Sequence, residues 1–195
     1  MSGTLASLAG LEQALHENSP GLVDLAIRRI LLLHSLILSA GGVPLLYVGD
    51  EVATLNCYDY ARDPAKADDS RWVHRVPFDW SHRERWSEMG NPAGYIYNEL
   101  LRLIALWRDQ PAFGGANLEV FDTGNEHLLG YSRQHRGKRI TVVANFSERP
   151  QPLSANCLRL NGLGYEFCDL NSGVKLSASE TLTLSPYQFV WLEAI

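Results

Sequence analysis

A long helix-forming segment begins at Ser19 and Pro20. Ser19 is a favourable N-cap, and Pro20 suits the first helical position. From there to Ser39, apolar residues cover most of the helical circumference. This pattern predicts a helix that packs on more than one side. The helix is expected to end at Gly41-Gly42, because glycine readily adopts the positive φ of a C-cap.

Residues 43–48, VPLLYV, form a continuous apolar run rather than an alternating one. Such runs are typical of strands buried on both faces, as in parallel sheets. Asp50 and Glu51 follow at the predicted carboxyl end of this strand, where α/β folds bind ligands. Adjacent residues of an extended strand point to opposite faces, so the two carboxylates are not expected to flank one bond. Both are interpreted as loop-ordering groups, with Glu51 accepting hydrogen bonds from nearby loop donors.

Residues 52–90 show no sustained periodicity. A connection of this length is far longer than the usual βα loop, and long loops often carry function. A second long helix is predicted after Asn91-Pro92, with Pro111 just beyond its end. A short helical segment is also predicted at residues 11–17.

After residue 117 the apolar period changes from that of a helix to that of a strand. Short alternating segments are separated by turns rich in Asn, Asp and Gly, which predicts a small antiparallel β-sandwich. The predicted strands are Leu118–Phe121, Leu128–Ser132, Ile140–Asn145, Gln151–Cys157, Tyr165–Asp169, Thr181–Leu184 and Phe189–Leu192. Since a single parallel strand has no partner of its own, the part before the sandwich is expected to end a larger α/β domain whose start is absent.

Length and charge narrow the possible functions. With 195 residues, the chain is too short for a complete (β/α)8 barrel, which takes about 250. A net charge of −5 argues against a nucleic-acid partner and against attraction to an anionic membrane. No clean apolar run reaches the ~20 residues of a membrane span. The absence of a secretory pattern favours the cytoplasm without fixing the location.

Several motifs resemble those of the α-amylase superfamily and, within it, of amylosucrase. Residues 41–51, GGVPLLYVGDE, resemble the eighth-strand motif of the superfamily. Residues 68–75, DDSRWVHR, resemble a loop of amylosucrases and their sucrose-hydrolase relatives. Residues 144–148 and 184–193, ANFSE and LSPYQFVWLE, are similar to the C-terminal β-domain of these enzymes. The resemblance covers essentially the whole chain.

This resemblance implies a fold class of α/β plus all-β. Residues 1–112 would form the C-terminal end of a (β/α)8 barrel, with its last helix–strand–helix. Residues 113–195 would form a small antiparallel β-sandwich domain. The implied activity is that of an α-retaining enzyme that transfers glucosyl units from sucrose to an α-1,4-glucan and releases fructose. No cofactor is implied.

Retaining cleavage requires a carboxylate nucleophile and a general acid/base. The family carries these groups after earlier barrel strands, and no stretch of this chain resembles those motifs. No catalytic residue is therefore assigned, and the chain alone is expected to be inactive. The missing N-terminal portion of the barrel is expected to be needed for folding.

Two alternative functions stay open. The first is a sucrose hydrolase or another α-glucosidase. Such an enzyme would share the same fold and differ in the loops that bind the acceptor, which lie mostly in sequence upstream of this chain. A non-catalytic carbohydrate-binding or structural module belongs to a different class. Against such a module stands the apolar segment 43–48, which would then be an unpaired strand.

Arg71 is the candidate substrate-binding residue. In the family, the arginine at this position lies at the floor of the glucosyl pocket, pairs with an aspartate from an early barrel loop and contacts sugar hydroxyls. A guanidinium suits this task because its planar fork of donors keeps its charge. From the residues alone, the alternative is a loop-ordering salt bridge with Asp68 or Asp69.

No metal site is predicted. The loop aspartates lack the spacing of a calcium loop, the histidines lack zinc-ligand spacing, and the three cysteines suggest neither a disulfide framework nor a zinc knuckle. The loop aspartates are expected to be solvated or paired with nearby arginines. The loop tryptophans are candidate sugar-stacking platforms, with core packing or loop anchoring as the alternative. The aspartates are Asp59, Asp63, Asp68 and Asp69, and the tryptophans are Trp72, Trp80 and Trp86.

Overall fold

A computed structural model describes residues 2–80, 90–115 and 117–195. Its α-helices are Leu5–Leu8 (α1), Leu11–His16 (α2), Pro20–Ser39 (α3), Pro92–Asp109 (α4) and Ala155–Gly162 (α5). Both long helices begin at the proline that the sequence indicated, because proline is pre-organised for the first helical turn. None of the helices within these residues combines the length and apolarity that crossing a bilayer requires.

The second half of the chain is an antiparallel β-structure. Its strands are Asn117–Phe121 (β1), Leu128–His135 (β2), Lys138–Asn145 (β3), Gln151–Leu153 (β4), Glu166–Asp169 (β5), Lys175–Ser177 (β6), Leu182–Leu184 (β7) and Phe189–Ala194 (β8). Six strands form one sheet in the order β1-β2-β3-β8-β5-β6, and β4 pairs with β7. All these pairings are antiparallel, as predicted.

The chain separates into two compact units. Unit 1 comprises Met1–Leu31 and Leu45–Leu101, and unit 2 comprises Leu32–Pro44 and Arg102–Ile195. The unit limits fall inside α3 and α4, so they do not test the domain boundary expected between residues 112 and 113. That boundary stays a prediction.

Unit 1 has a small core built from the short N-terminal helices, α3 and α4. The core side chains repeat at helical spacing, as the amphipathic pattern requires. The buried members of this cluster are Ala6, Ala9, Leu11, Ala26, Ile30, Ala53 and Ile96.

Unit 2 has its main core on one face of the six-stranded sheet. Strand residues alternate between faces, so Val143 and Val190 point into this core while their neighbours Val142 and Trp191 point the other way. The buried members of the core are Leu128, Val143, Leu153, Leu158, Phe167, Ala178, Leu184, Val190 and Leu192.

The opposite face of this sheet carries a buried cation. Arg133 of β2 is 2% exposed, and its guanidinium donates to the carbonyls of Ala40 at 3.0 Å, Phe113 at 3.3 Å and Gly115. Carbonyl dipoles near the end of α3 suit a cation. Two residues earlier on the same face, the Tyr131 hydroxyl lies 2.5 Å from Ser39 Oγ, and burial raises the pKa of Tyr131 to about 12. The end of α3 is thus joined to the β-sheet within unit 2.

One predicted strand is absent and another is shorter than predicted. Residues 43–48 form no strand, and Val43 and Leu45 are 91% and 76% exposed. A parallel strand needs a neighbour to satisfy its N–H and C=O groups, and none of the described segments pairs with this one. The strand expected at Gln151–Cys157 ends at Leu153, because α5 begins at Ala155. The short strand β6 was not predicted.

Candidate functional site

Asp50 and Glu51 lie on a 3₁₀ turn, Asp50–Val52, rather than at the end of a strand. The Gly49 N–H donates to Glu51 Oε2 at 2.7 Å, so Glu51 orders its own turn. Gly49 has φ 99°, and a Cβ there would lie 2.7 Å from Thr54 Oγ1, so only glycine fits. Burial raises the pKa of the half-buried Asp50, while a hydrogen bond from the Leu5 backbone lowers it less strongly.

Arg71 pairs with Asp69 in a two-pronged geometry. Its Nε lies 2.8 Å from Asp69 Oδ1, and its Nη2 lies 3.0 Å from Asp69 Oδ2. The Arg71 N–H also donates to Asp69 Oδ1 at 3.0 Å, so the carboxylate caps the 3₁₀ turn Ser70–His74. The hydrogen bonds from Arg71 hold the pKa of Asp69 well below its usual range, at about 2. Of the two partners considered from the sequence, Asp69 is the one in contact.

This pair leaves the guanidinium at the surface. The Arg71 side chain is 66% exposed and the Asp69 side chain 32%. The carboxylate occupies Nε and Nη2 and fixes the plane of the fork, which leaves the rest of the fork facing outward. The arrangement suits binding and orienting a polar ligand.

The ring of Trp72 is engaged by two cations. Lys66 Nζ and the Arg75 guanidinium each lie 5.1 Å from the ring centroid. Lys66 is held in turn by Asp63, 3.0 Å away. These cation–π contacts favour loop anchoring over sugar stacking for Trp72. Trp80 is 68% exposed and packs edge-on against Phe78 at 4.6 Å, whereas Trp86 and His82 lie outside the described residues.

The other acidic residues do not gather into a metal site. Asp59 pairs with Arg62 at 3.3 Å on the surface, and Asp63 accepts from the Ala65 N–H at 3.0 Å. In the ranges that the structure covers, no three side chains of His, Cys, Asp or Glu come together as a potential metal site.

Asn56 has no role predicted from the sequence, yet it lies at the centre of a hydrogen-bond network. Its side chain and backbone contact three N-terminal residues and the nearby Tyr58. Nothing in the periodicity signals this, because the N-terminal partners lie far away in the sequence.

Residues 118–191 match the family model described as Maltogenic Amylase, C-terminal domain. The chain is 30% identical over 169 residues to glucosylglycerate phosphorylase of Escherichia coli (strain K12), covering 85% of this chain and 28% of that protein. It is 28% identical over 186 residues to trehalose synthase of Thermus thermophilus, covering 83% of this chain and 19% of that protein. The chain therefore spans less than a third of either relative.

The fold is also that of solved amylase structures. AmyP in complex with maltose superposes with a TM-score of 0.69 at 16% identity, over 86% of this chain and 34% of that one. The predicted fold class is thus confirmed, with an antiparallel β-domain like the C-terminal domain of α-amylase family enzymes. The similarity to that superfamily is also confirmed at the level of homologues, which include a phosphorylase and a trehalose synthase.

Proposed function

We propose that this chain is the C-terminal part of an amylosucrase, a sucrose-cleaving and α-retaining glucosyltransferase. Residues 1–112 would complete its (β/α)8 barrel, and residues 113–195 would form its β-sandwich domain. Sucrose and α-glucan would be the substrates of the complete enzyme. The similarity to α-amylase family enzymes supports the superfamily that this proposal assigns. The DDSRWVHR run at residues 68–75 supports the sucrose-active branch of that superfamily.

The observation that carries the proposal is the oriented, exposed fork of Arg71. Asp69 fixes the guanidinium plane through two hydrogen bonds, so a sugar hydroxyl meets donors that have already lost much of their freedom. In the complete enzyme, Arg71 would bind the terminal glucosyl unit. Asp50, Glu51 and Asp69 would order the loops around it.

The test is Arg71→Ala in the enzyme restored by joining this chain to the proposed barrel portion. Each lost charge-assisted hydrogen bond is worth roughly 1.5–3 kcal/mol, so kcat/KM for sucrose should fall by about 10²–10⁴. Arg71→Lys should rescue little, because an ammonium cannot reproduce the fork. The matched control is Arg62→Ala, which removes another exposed arginine paired with a nearby aspartate. Near wild-type kcat/KM in Arg71→Ala, or a loss fully explained by a lowered Tm, contradicts the role.

The chain alone should not cleave sucrose, because it contains no segment that resembles the family's nucleophile or acid. The measurement is fructose release by the purified chain against a heat-inactivated sample. Fructose above that background would overturn the proposed division of roles between this chain and the barrel portion.

A phosphorylase is the second candidate. The 30% identity to glucosylglycerate phosphorylase favours it. The restored enzyme distinguishes the candidates by its products from sucrose. A transferase yields fructose and longer glucan, and a hydrolase yields glucose and fructose. A phosphorylase yields glucose 1-phosphate and fructose, and only when inorganic phosphate is present.

A further inference from the structure

Asn56 connects the N-terminal helices to the start of the long loop. Its Oδ1 accepts from the Thr4 N–H at 2.8 Å, and its own N–H donates to Ser7 Oγ at 2.9 Å. Its Nδ2 donates to Glu12 Oε2 at 3.3 Å and to the Tyr58 hydroxyl at 3.1 Å. Asn56 therefore uses its backbone donor and both ends of its amide in a single junction.

The partners of Asn56 are themselves held in place. Thr4 caps α1 through its hydroxyl, which accepts from the Ser7 N–H at 3.2 Å. Glu12 belongs to α2 and also accepts from the Tyr58 hydroxyl at 3.2 Å. Because α1 and α2 contribute buried residues to the core of unit 1, Asn56 is anchored to packed structure rather than to a mobile chain end.

One further hydrogen bond links the segment next to Asn56 to the turn that contains Arg71. The N–H of Cys57, the next residue, donates to the carbonyl of Val73 at 2.9 Å. Val73 is 5% exposed and lies on the same 3₁₀ turn, Ser70–His74, as Arg71. The path from α1 and α2 through Asn56 and Cys57 to this turn is continuous and lies wholly within unit 1.

We propose that Asn56 is a positioning residue that sets the place of the Arg71 turn relative to the N-terminal helices. Asp69 fixes the orientation of the guanidinium on the turn, and Asn56 fixes the turn itself. The inference rests on the proposed function for its effect on substrate binding, whereas the positioning is a property of the chain. Asn56 contacts no substrate in this role.

Hydrogen exchange in the full chain tests the positioning. Asn56→Ala should speed exchange of the Cys57 amide and of peptides within residues 57–75 by at least ~10-fold. Without the Asn56 side-chain contacts, this segment should open locally more often while the rest of the chain keeps its stability. Exchange in residues 117–195 should not change. Ser7→Ala removes the acceptor of the Asn56 N–H and of the Thr4 hydroxyl but leaves the Asn56 side-chain contacts in place, so it should give a smaller change of the same pattern.

The matched control is Asn145→Ala. Asn145 is fully buried in unit 2, and its Nδ2 donates to the carbonyls of Arg149, Leu184 and Ser185. This variant should speed exchange in the β-sheet and leave residues 57–75 unchanged. Unchanged loop exchange in Asn56→Ala, a uniform rise over the whole chain, or an unprotected Cys57 amide in the wild-type chain would each overturn the positioning.

Sucrose kinetics of the restored enzyme then separate the two proposals. Asn56→Ala should raise KM by about tenfold with kcat changed much less, because a displaced Arg71 weakens binding of the ground state and the transition state alike. If Asn56→Ala loosens the loop but Arg71→Ala leaves kcat/KM intact, the positioning stands and the proposed function fails. If Arg71→Ala is damaging but Asn56→Ala changes neither exchange nor KM, the positioning fails.

Discussion

At the residue scale, the Asp69 carboxyl group reports directly on Arg71. Its pKa is lowered to about 2, first by the Arg71 side chain and then by the Arg71 N–H. A lowered pKa means that the pairing is intact above the ordinary value near 4 and is lost as the pH falls through about 2. The Asp69 carboxyl carbon should titrate near that pH in NMR. In Arg71→Ala it should titrate about one unit or more higher, and an unchanged midpoint would show that the pair does not form in solution.

Two adjacent glycines provide a second prediction at this scale. Gly41 and Gly42 both have positive φ, at 105° and 81°. A Cβ at Gly41 would lie 2.6 Å from Arg133 Nη2, whereas a Cβ at Gly42 would meet nothing within 4 Å. Gly42→Ala should therefore cost only backbone strain, about 1–2 kcal/mol. Gly41→Ala should cost at least ~1.5 kcal/mol more, because it also displaces a buried guanidinium from its carbonyl acceptors.

Urea unfolding of the full chain measures both variants against wild type. Equal midpoints for the two alanine variants would contradict the contact between Gly41 and Arg133. The comparison is internally controlled, because the two substitutions are the same and the positions are neighbours.

At the scale of elements, the apolar segment 43–48 differs from the strands that contribute to the core of unit 2. Leu45 is 76% exposed, whereas Leu184 of β7 is fully buried. Leu45→Ala should change the unfolding free energy of the chain by less than ~0.5 kcal/mol, as is usual at exposed positions. Leu184→Ala should cost about 2–5 kcal/mol, because it leaves a cavity in the core. A large loss in Leu45→Ala would show that residues 43–48 are packed in solution.

The elements that the sequence predicts well are those whose signals are local. Pro20 and Pro92 mark helix starts through their own backbone geometry, and Arg136 and Gly137, both with positive φ, form the turn that joins β2 to β3. The segment 43–48 was misjudged because a continuous apolar run indicates a buried strand only where neighbouring strands exist to pair with it.

The candidate site likewise contains one contact that is local in the sequence and others that are long-range. Asp69 and Arg71 are two residues apart, so their pairing was among the alternatives that the sequence offered. The N-terminal partners of Asn56 are between 44 and 52 positions away, and they meet Asn56 only because α1 and α2 fold back onto the loop. No periodicity or motif encodes a contact of that range, which is why the junction emerged only from the structure.

At the scale of the whole molecule, the β-sheet does not stand alone. Arg133 and Tyr131 find partners at Ala40 and Ser39, which belong to the end of α3. A fragment of residues 112–195 would lose the hydrogen bond from Arg133 to Ala40 and the one between Tyr131 and Ser39, together with the packing that helps bury both side chains. It should unfold at lower urea than a chain in which residues 32–44 are linked to residues 102–195. Circular dichroism gives both midpoints, and equal values would contradict this dependence.

The contact between Arg133 and the end of α3 also has a consequence for recombining this β-domain with segments of its homologues. The matched family region, residues 118–191, contains Arg133 but neither Ala40 nor Gly41. A recombinant protein that takes this region from one relative and the preceding helix from another would therefore combine an Arg133 position and a Gly41 position from different proteins. Grafts should succeed when the donor of the helix has glycine at the position of Gly41 or the donor of the sheet lacks the arginine. Across homologues, these two positions are expected to co-vary although they lie far apart in the sequence.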